Sequence, residues 1–136
     1  MQNRDAVFLE DFCPKLRDRR WRKSLHTFTA RSCIYCGNVS ESIDHVIPRS
    51  RGGLSVTENC VPACLSCNGD KSDNEAFGWY RRQRFYDPRR SMAIRAWIDG
   101  DLRLALRLLE WAKPNRINQK ETKKKDTPGD YSLQVA

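Results

Sequence analysis

The sequence predicts an α+β domain, in which a short β-hairpin carries a cysteine pair at each end, a helix follows directly, and further helices lie on both flanks. Three observations carry this reading. Cysteines recur as two CxxC pairs, Cys33-Ile34-Tyr35-Cys36 and Cys64-Leu65-Ser66-Cys67. Between them lie two extended, partly apolar stretches separated by Gly52-Gly53, glycines that permit the positive φ angles of a turn. Outside them, apolar residues recur at helical spacing.

At 136 residues the chain is one domain long, and 39% apolar content fills a modest core. Lys and Arg number 25 against 17 Asp and Glu, a formal net charge of +8. Such a surplus favours a polyanionic partner, because each phosphate neutralised by Lys or Arg releases condensed counterions. Composition alone does not separate nucleic acid from an acidic membrane surface. No stretch approaches the roughly 18 uninterrupted apolar residues of a membrane span, and the first residues lack a secretory pattern. The expected location is therefore cytoplasmic, where the six cysteines suit metal binding or burial better than a disulfide framework.

In chain order, Val7, Phe8, Leu9 and Phe12 offer a short segment able to pack on the core. Leu16, Trp21, Leu25 and Phe28 follow one face of a basic helix between Pro14 and Arg31, either an ordinary amphipathic helix or one that faces a polyanion. A strand is expected from Ser42 to Ile47, ended by Pro48, and a second extended piece before Cys64. Ser72 and Glu75, three apart, match a capping box and mark the start of the next helix. Ser91 to Trp111 has helical periodicity broken at Gly100, with Asp99 or Asp101 as the cap of the second half. Beyond Pro114 the chain is polar and poor in core formers, so a disordered tail is expected.

Four thiolates at CxxC spacing can close a tetrahedron around one Zn²⁺, and Gly37 after the first pair lets backbone amides turn toward sulfur. A redox CxxC or an iron-sulfur ligand set are the competing readings. A closed four-thiolate site leaves no position for water, so such a zinc would hold structure and perform no chemistry. Cys13 and Cys60 lie outside the pairs and read as buried or incidental thiols. Between Cys36 and Cys64 stand 27 residues, more than the about 15 to 20 of a simple paired-knuckle site. The inserted segment contains Asp44-His45.

From Cys33 to Phe77 the residues resemble the HNH endonuclease family, in the form with a four-cysteine zinc site on a ββα-metal (His-Me finger) fold. The elements fall in order: CxxC, "DHVIPRSRGG", "TENCVPAC" and "CLSCNGDKS". The resemblance implies that His45 is the general base, that Asp44 and Asn68 hold a catalytic divalent ion, and that Asn59 braces the loop presenting the histidine. The last family position is often His and is Asn68 here, a His-Asn-Asn variant. An amide oxygen favours hard ions, so Mg²⁺ or Mn²⁺ is expected as the second cofactor beside structural Zn²⁺. The expected organisation, whose flanking helices lie outside the resemblance, is a basic helical extension over 1–32, the nuclease core over 33–86, packed C-terminal helices over 87–113 and the tail over 114–136.

The chemistry accounts for these residue types. A neutral imidazole can take a proton from water at physiological pH, and a divalent ion can stabilise charge building on the departing 3′ oxygen of DNA. Arg49, Arg51, Lys71, Arg81 and Arg82 are the expected phosphate contacts. Trp79, Tyr80 and Phe85 stand beside those last arginines, as stacking platforms or as packing. His26 receives no role. The rival reading is a non-catalytic zinc-binding nucleic-acid module, which leaves Asp44, His45 and Asn68 unexplained.

Overall fold

The computed structural model describes residues 13–112. The expectations for the apolar N-terminal segment and for the tail after Pro114 lie outside these residues. Helix α1, Pro14–Phe28, has proline in its first turn, where an absent N–H costs nothing, and buries Leu25 while most of its basic residues stay exposed. Ala30 and Arg31 then take left-handed φ angles of 51° and 60°, which turn the chain abruptly into the first cysteine pair.

Strand β1, Ser42–His45, pairs antiparallel with β2, Cys60–Ala63, in the register Ser42 to Ala63 and His45 to Cys60. Pro62 is tolerated in β2 because a two-stranded sheet leaves each strand one open edge. Its carbonyl accepts the Ile34 N–H at 2.9 Å, which ties the first cysteine knuckle to the sheet. Helix α2, Leu65–Lys71, packs against β1 and completes a ββα unit. Helix α3, Ala76–Arg81, helix α4, Pro88–Ile98, and a fifth helix over residues 102–112 follow.

The α+β class and the strand, strand, helix order match the sequence reading, with three differences. β1 stops at His45: Ile47, expected to be its last residue, is 49% exposed, and its backbone is taken by the Asn59 side chain instead of a ladder. The turn at Gly52-Gly53 is part of a longer connection with two 3₁₀ turns, Arg49–Arg51 and Thr57–Asn59. The helix expected to start at Ser72 starts at Ala76, and a separate helix, α2, precedes it. Ser72, with φ of 51°, ends α2, and Glu75 caps α3 by accepting the N–H groups of Phe77 and Gly78. Asp101 accepts the Leu104 N–H at the start of the last helix, as one of the expected caps.

The core gathers Leu25, Ile34, Tyr35, Val61, Trp79, Tyr80, Ile94 and Trp97, each 3% exposed or less. Trp79 meets the Tyr35 ring edge-on at 5.1 Å, so Trp79 and Tyr80 are packing residues rather than stacking platforms. The connection between the strands is gripped from both flanks. Trp21 of α1 donates to Thr57 Oγ1 at 2.9 Å, and Trp97 of α4 donates to the Thr57 carbonyl at 2.7 Å.

Candidate active site and metal centre

Cys33, Cys36, Cys64 and Cys67 place their sulfurs within 4.8 Å of one another, forming a cluster able to hold a metal ion. The Cys36 to Cys64 separation is 3.7 Å, and a tetrahedral ion with Zn–S bonds of about 2.3 Å requires sulfur pairs about 3.8 Å apart. Gly37, at φ of 84°, makes the turn that brings the Asn38 N–H within 3.5 Å of Cys36 Sγ, and Cys64 Sγ accepts the Cys67 N–H at 3.3 Å. Without a cation the thiols compete for charge. Hydrogen bonds from Cys36 and Cys67 pull the Cys33 thiol down to about 2, while the bond to Cys33 pushes Cys36 up to about 12. A bound cation would let all four ionise. Cys60 lies outside the cluster, its thiol raised to about 11 chiefly by burial, and Cys13 is exposed.

The cluster is anchored by a residue that sequence reasoning passed over. Arg90 of α4, 7% exposed, donates through Nη1 to the carbonyls of Cys33 and Ile34 at 3.1 and 3.3 Å. Periodicity read the region as core, and nothing in the sequence separates this arginine from its exposed neighbours.

His45 ends β1 and is half-buried. Its Nε2 lies 2.9 Å from Ser55 Oγ, a partner ten residues along the connection that no motif signals. Burial first, then the charges of Arg49, Arg22 and Lys71, lower the imidazole below its ordinary value. Arg22, one of these charges, lies on the basic helix α1.

Asn59 pins the connection that follows. Its Oδ1 accepts the Ile47 N–H at 2.8 Å, and its Nδ2 donates to the carbonyls of Ile47 and Leu54 at 3.0 and 2.9 Å. Gly53 makes that geometry possible, since a Cβ there would stand 1.7 Å from the Ile47 carbonyl oxygen.

Adjacent residues of a strand point to opposite faces, and Asp44 turns inward, 3% exposed. Its Oδ2 accepts the Tyr35 hydroxyl at 2.5 Å, and its Oδ1 accepts Lys71 Nζ at 3.2 Å. Burial raises the carboxyl, and the Lys71 charge and the Tyr35 hydroxyl oppose that rise. Asn68 of α2 donates through Nδ2 to Ser42 Oγ at 2.9 Å and to the Ile43 carbonyl at 3.2 Å. These bonds fix the amide so that Oδ1 faces away from them, and among the described residues none donates to it.

The expected phosphate contacts divide. Arg49, Arg81 and Arg82 are exposed, and Arg51 is exposed while donating to the Asp73 carbonyl at 2.8 Å. Lys71 is corrected: its side chain is 0% exposed and serves Asp44, so it offers no surface for DNA in this conformation. His26, given no role, bonds through Nδ1 to buried Ser40 Oγ at 2.6 Å.

Residues 33–74 match the family described as HNH endonuclease. The chain is also similar to the "SPbeta prophage-derived putative HNH endonuclease YoqL" of Bacillus subtilis (strain 168), 27% identical over 97 residues. That similarity takes in 62% of this chain but only 42% of the relative's length. No solved structure matches. The match to the HNH family over this segment supports a nuclease function in general. Among the described residues no helix is long and apolar enough to cross a membrane.

Proposed function

We propose that this protein is a metal-dependent HNH endonuclease that hydrolyses DNA phosphodiester bonds, most suitably in duplex DNA. The observation that carries the reading is the pairing, on one ββα unit, of a half-exposed histidine depressed below its usual value with an asparagine whose carbonyl oxygen is held outward. The cysteine cluster is assigned structural zinc, since four sulfurs fill a tetrahedron and leave no place for a reacting water.

In the tautomer whose Nε2–H donates to Ser55, the ring keeps Nδ1 as the acceptor nitrogen, and His45 in that form acts as the general base that takes the proton of the attacking water. The lowered pKa keeps that nitrogen free at neutral pH. Asn59 holds the connection so that the ring and Ser55 stay in register. Each carboxylate oxygen of Asp44 retains a lone pair beyond its bond to Tyr35 or Lys71, and Asn68 contributes Oδ1, a donor set that suits a hard ion completed by water and phosphate. Bound there, Mg²⁺ or Mn²⁺ would stabilise the leaving 3′ oxygen. Arg49, Arg51, Arg81 and Arg82, with Arg22 of α1, are assigned to the DNA backbone.

One observation favours a second reading, a zinc-binding nucleic-acid module without catalysis: Asp44 is buried and already bonded on both oxygens. Incubating the protein with supercoiled plasmid in Mg²⁺ or Mn²⁺ separates the two. The endonuclease reading expects nicking, and His45→Ala should slow it by on the order of 10²-fold with zinc content unchanged. Salt-sensitive DNA binding with no cleavage in any divalent ion would establish the module instead.

A further inference from the structure

Among the described residues Lys71 is the most deeply buried charge, and it has no catalytic part in the reading above. Its ammonium reaches Asp44 Oδ1 at 3.2 Å, the His45 carbonyl at 3.0 Å and the Ser72 carbonyl at 3.5 Å. Three N–H donors thus meet three acceptors, and of these only Asp44 carries charge. Both side chains are nearly inaccessible, 0% exposed for Lys71 and 4% for Asp44. Tyr35, itself buried, holds the other carboxylate oxygen, so Asp44 cannot swing away from the ammonium. Lys71 also stands one turn beyond Asn68 on α2, on the side of the helix that faces β1.

We infer that Lys71 is the resident cation of the Asp44 carboxylate, so that the free protein binds a divalent ion weakly and takes it up together with the DNA phosphate. The inference depends on the reading of Asp44 and Asn68 as ligands of that ion. One carboxylate shared by an ammonium and a divalent ion leaves two surplus positive charges in a poorly solvated place. The phosphodiester brings a negative charge to the same spot and removes part of the surplus. Metal and substrate therefore bind cooperatively, each raising the other's affinity by the same factor. Lys71 acts through Asp44 and is a positioning residue, not a catalytic one.

The test titrates Mn²⁺ into the zinc-loaded full chain, following free Mn²⁺ by electron paramagnetic resonance, with and without a duplex carrying a non-hydrolysable linkage. Wild type should bind Mn²⁺ about tenfold or more tightly with the duplex than without it. Lys71→Met should bind Mn²⁺ alone about tenfold more tightly than wild type and lose much of the gain from DNA. A folded Lys71→Met with unchanged or weaker Mn²⁺ affinity, or a wild type indifferent to DNA, overturns the inference. Asp44→Asn should abolish Mn²⁺ uptake in the presence of duplex. Undiminished uptake in that variant overturns the ligand reading itself.

Should Lys71→Met fail to fold, the wild-type ammonium serves as reporter. Its ¹⁵N resonance, shielded from solvent exchange by burial, should stay in place with Mg²⁺ alone and move when Mg²⁺ and duplex are both present. Movement with Mg²⁺ alone at micromolar concentration overturns the inference.

Discussion

Replacing Asn59 by alanine tests whether a single side chain sets the shape of the connection after His45. The substitution removes three hydrogen bonds, to the Ile47 N–H, the Ile47 carbonyl and the Leu54 carbonyl. Each is worth about 1 kcal/mol net. The bonded groups are only partly buried, so water recovers some of the loss, and a destabilisation of about 2 to 3 kcal/mol is expected. That is a large share of the 5 to 15 kcal/mol or so that holds a domain of this size. Urea unfolding at fixed free zinc measures it, because the zinc proposed for the cysteine cluster would bind the folded state and otherwise shift the midpoint. Hydrogen exchange over residues 46–59 should accelerate more than exchange in α4, since the opening begins in the connection. Asn59→Asp discriminates further: it keeps an acceptor for Ile47 but sets a carboxylate against two carbonyls, so it should be no more stable than the alanine variant. A stability change under about 0.5 kcal/mol with unaltered exchange would refute the bracing role.

Two further outcomes follow from the site. Cys64→Ser removes both a cluster ligand and the sulfur that accepts the Cys67 N–H; zinc content by mass spectrometry should fall to zero with loss of the folded circular dichroism, given that such a site supplies roughly 10 kcal/mol or more. A folded, zinc-free variant would contradict a structural metal, and a coloured preparation would point to iron. Under the proposed mechanism cleavage needs neutral His45, whose pKa is lowered, so the single-turnover rate should be full at neutral pH and decline in acid with a midpoint below about 6.5. A midpoint above the ordinary histidine value would mean that burial and the nearby arginines do not govern the ring.

The readable features were those whose chemistry depends on chain spacing. Two CxxC pairs announce a tetrahedral cluster, Pro48 limits a strand, and Gly100 between two aspartates divides a helical run into α4 and the last helix. Features set by tertiary contact stayed hidden. Lys71 reads as one more basic residue, because only the fold brings it to Asp44, 27 positions earlier in the chain. Ser55, Arg90 and Ser40 give no local signal, as each acts through bonds to a distant segment. The capping-box pattern at Ser72 was misleading for a physical reason. Glu75 caps α3 directly, and Ser72 takes a left-handed conformation that ends α2. The mixture of Trp79 and Tyr80 with arginines could equally have been a binding face until their burial assigned them to the core.

Thr57 receives one tryptophan from the helix before the family segment and another from a helix after it. The appendages are consequently part of the architecture of the HNH-like segment, closing over it like two hands on one handle. An excised fragment limited to residues 33–74 would lose both grips at once, so transplanting this motif into another scaffold requires carrying its flanking helices along.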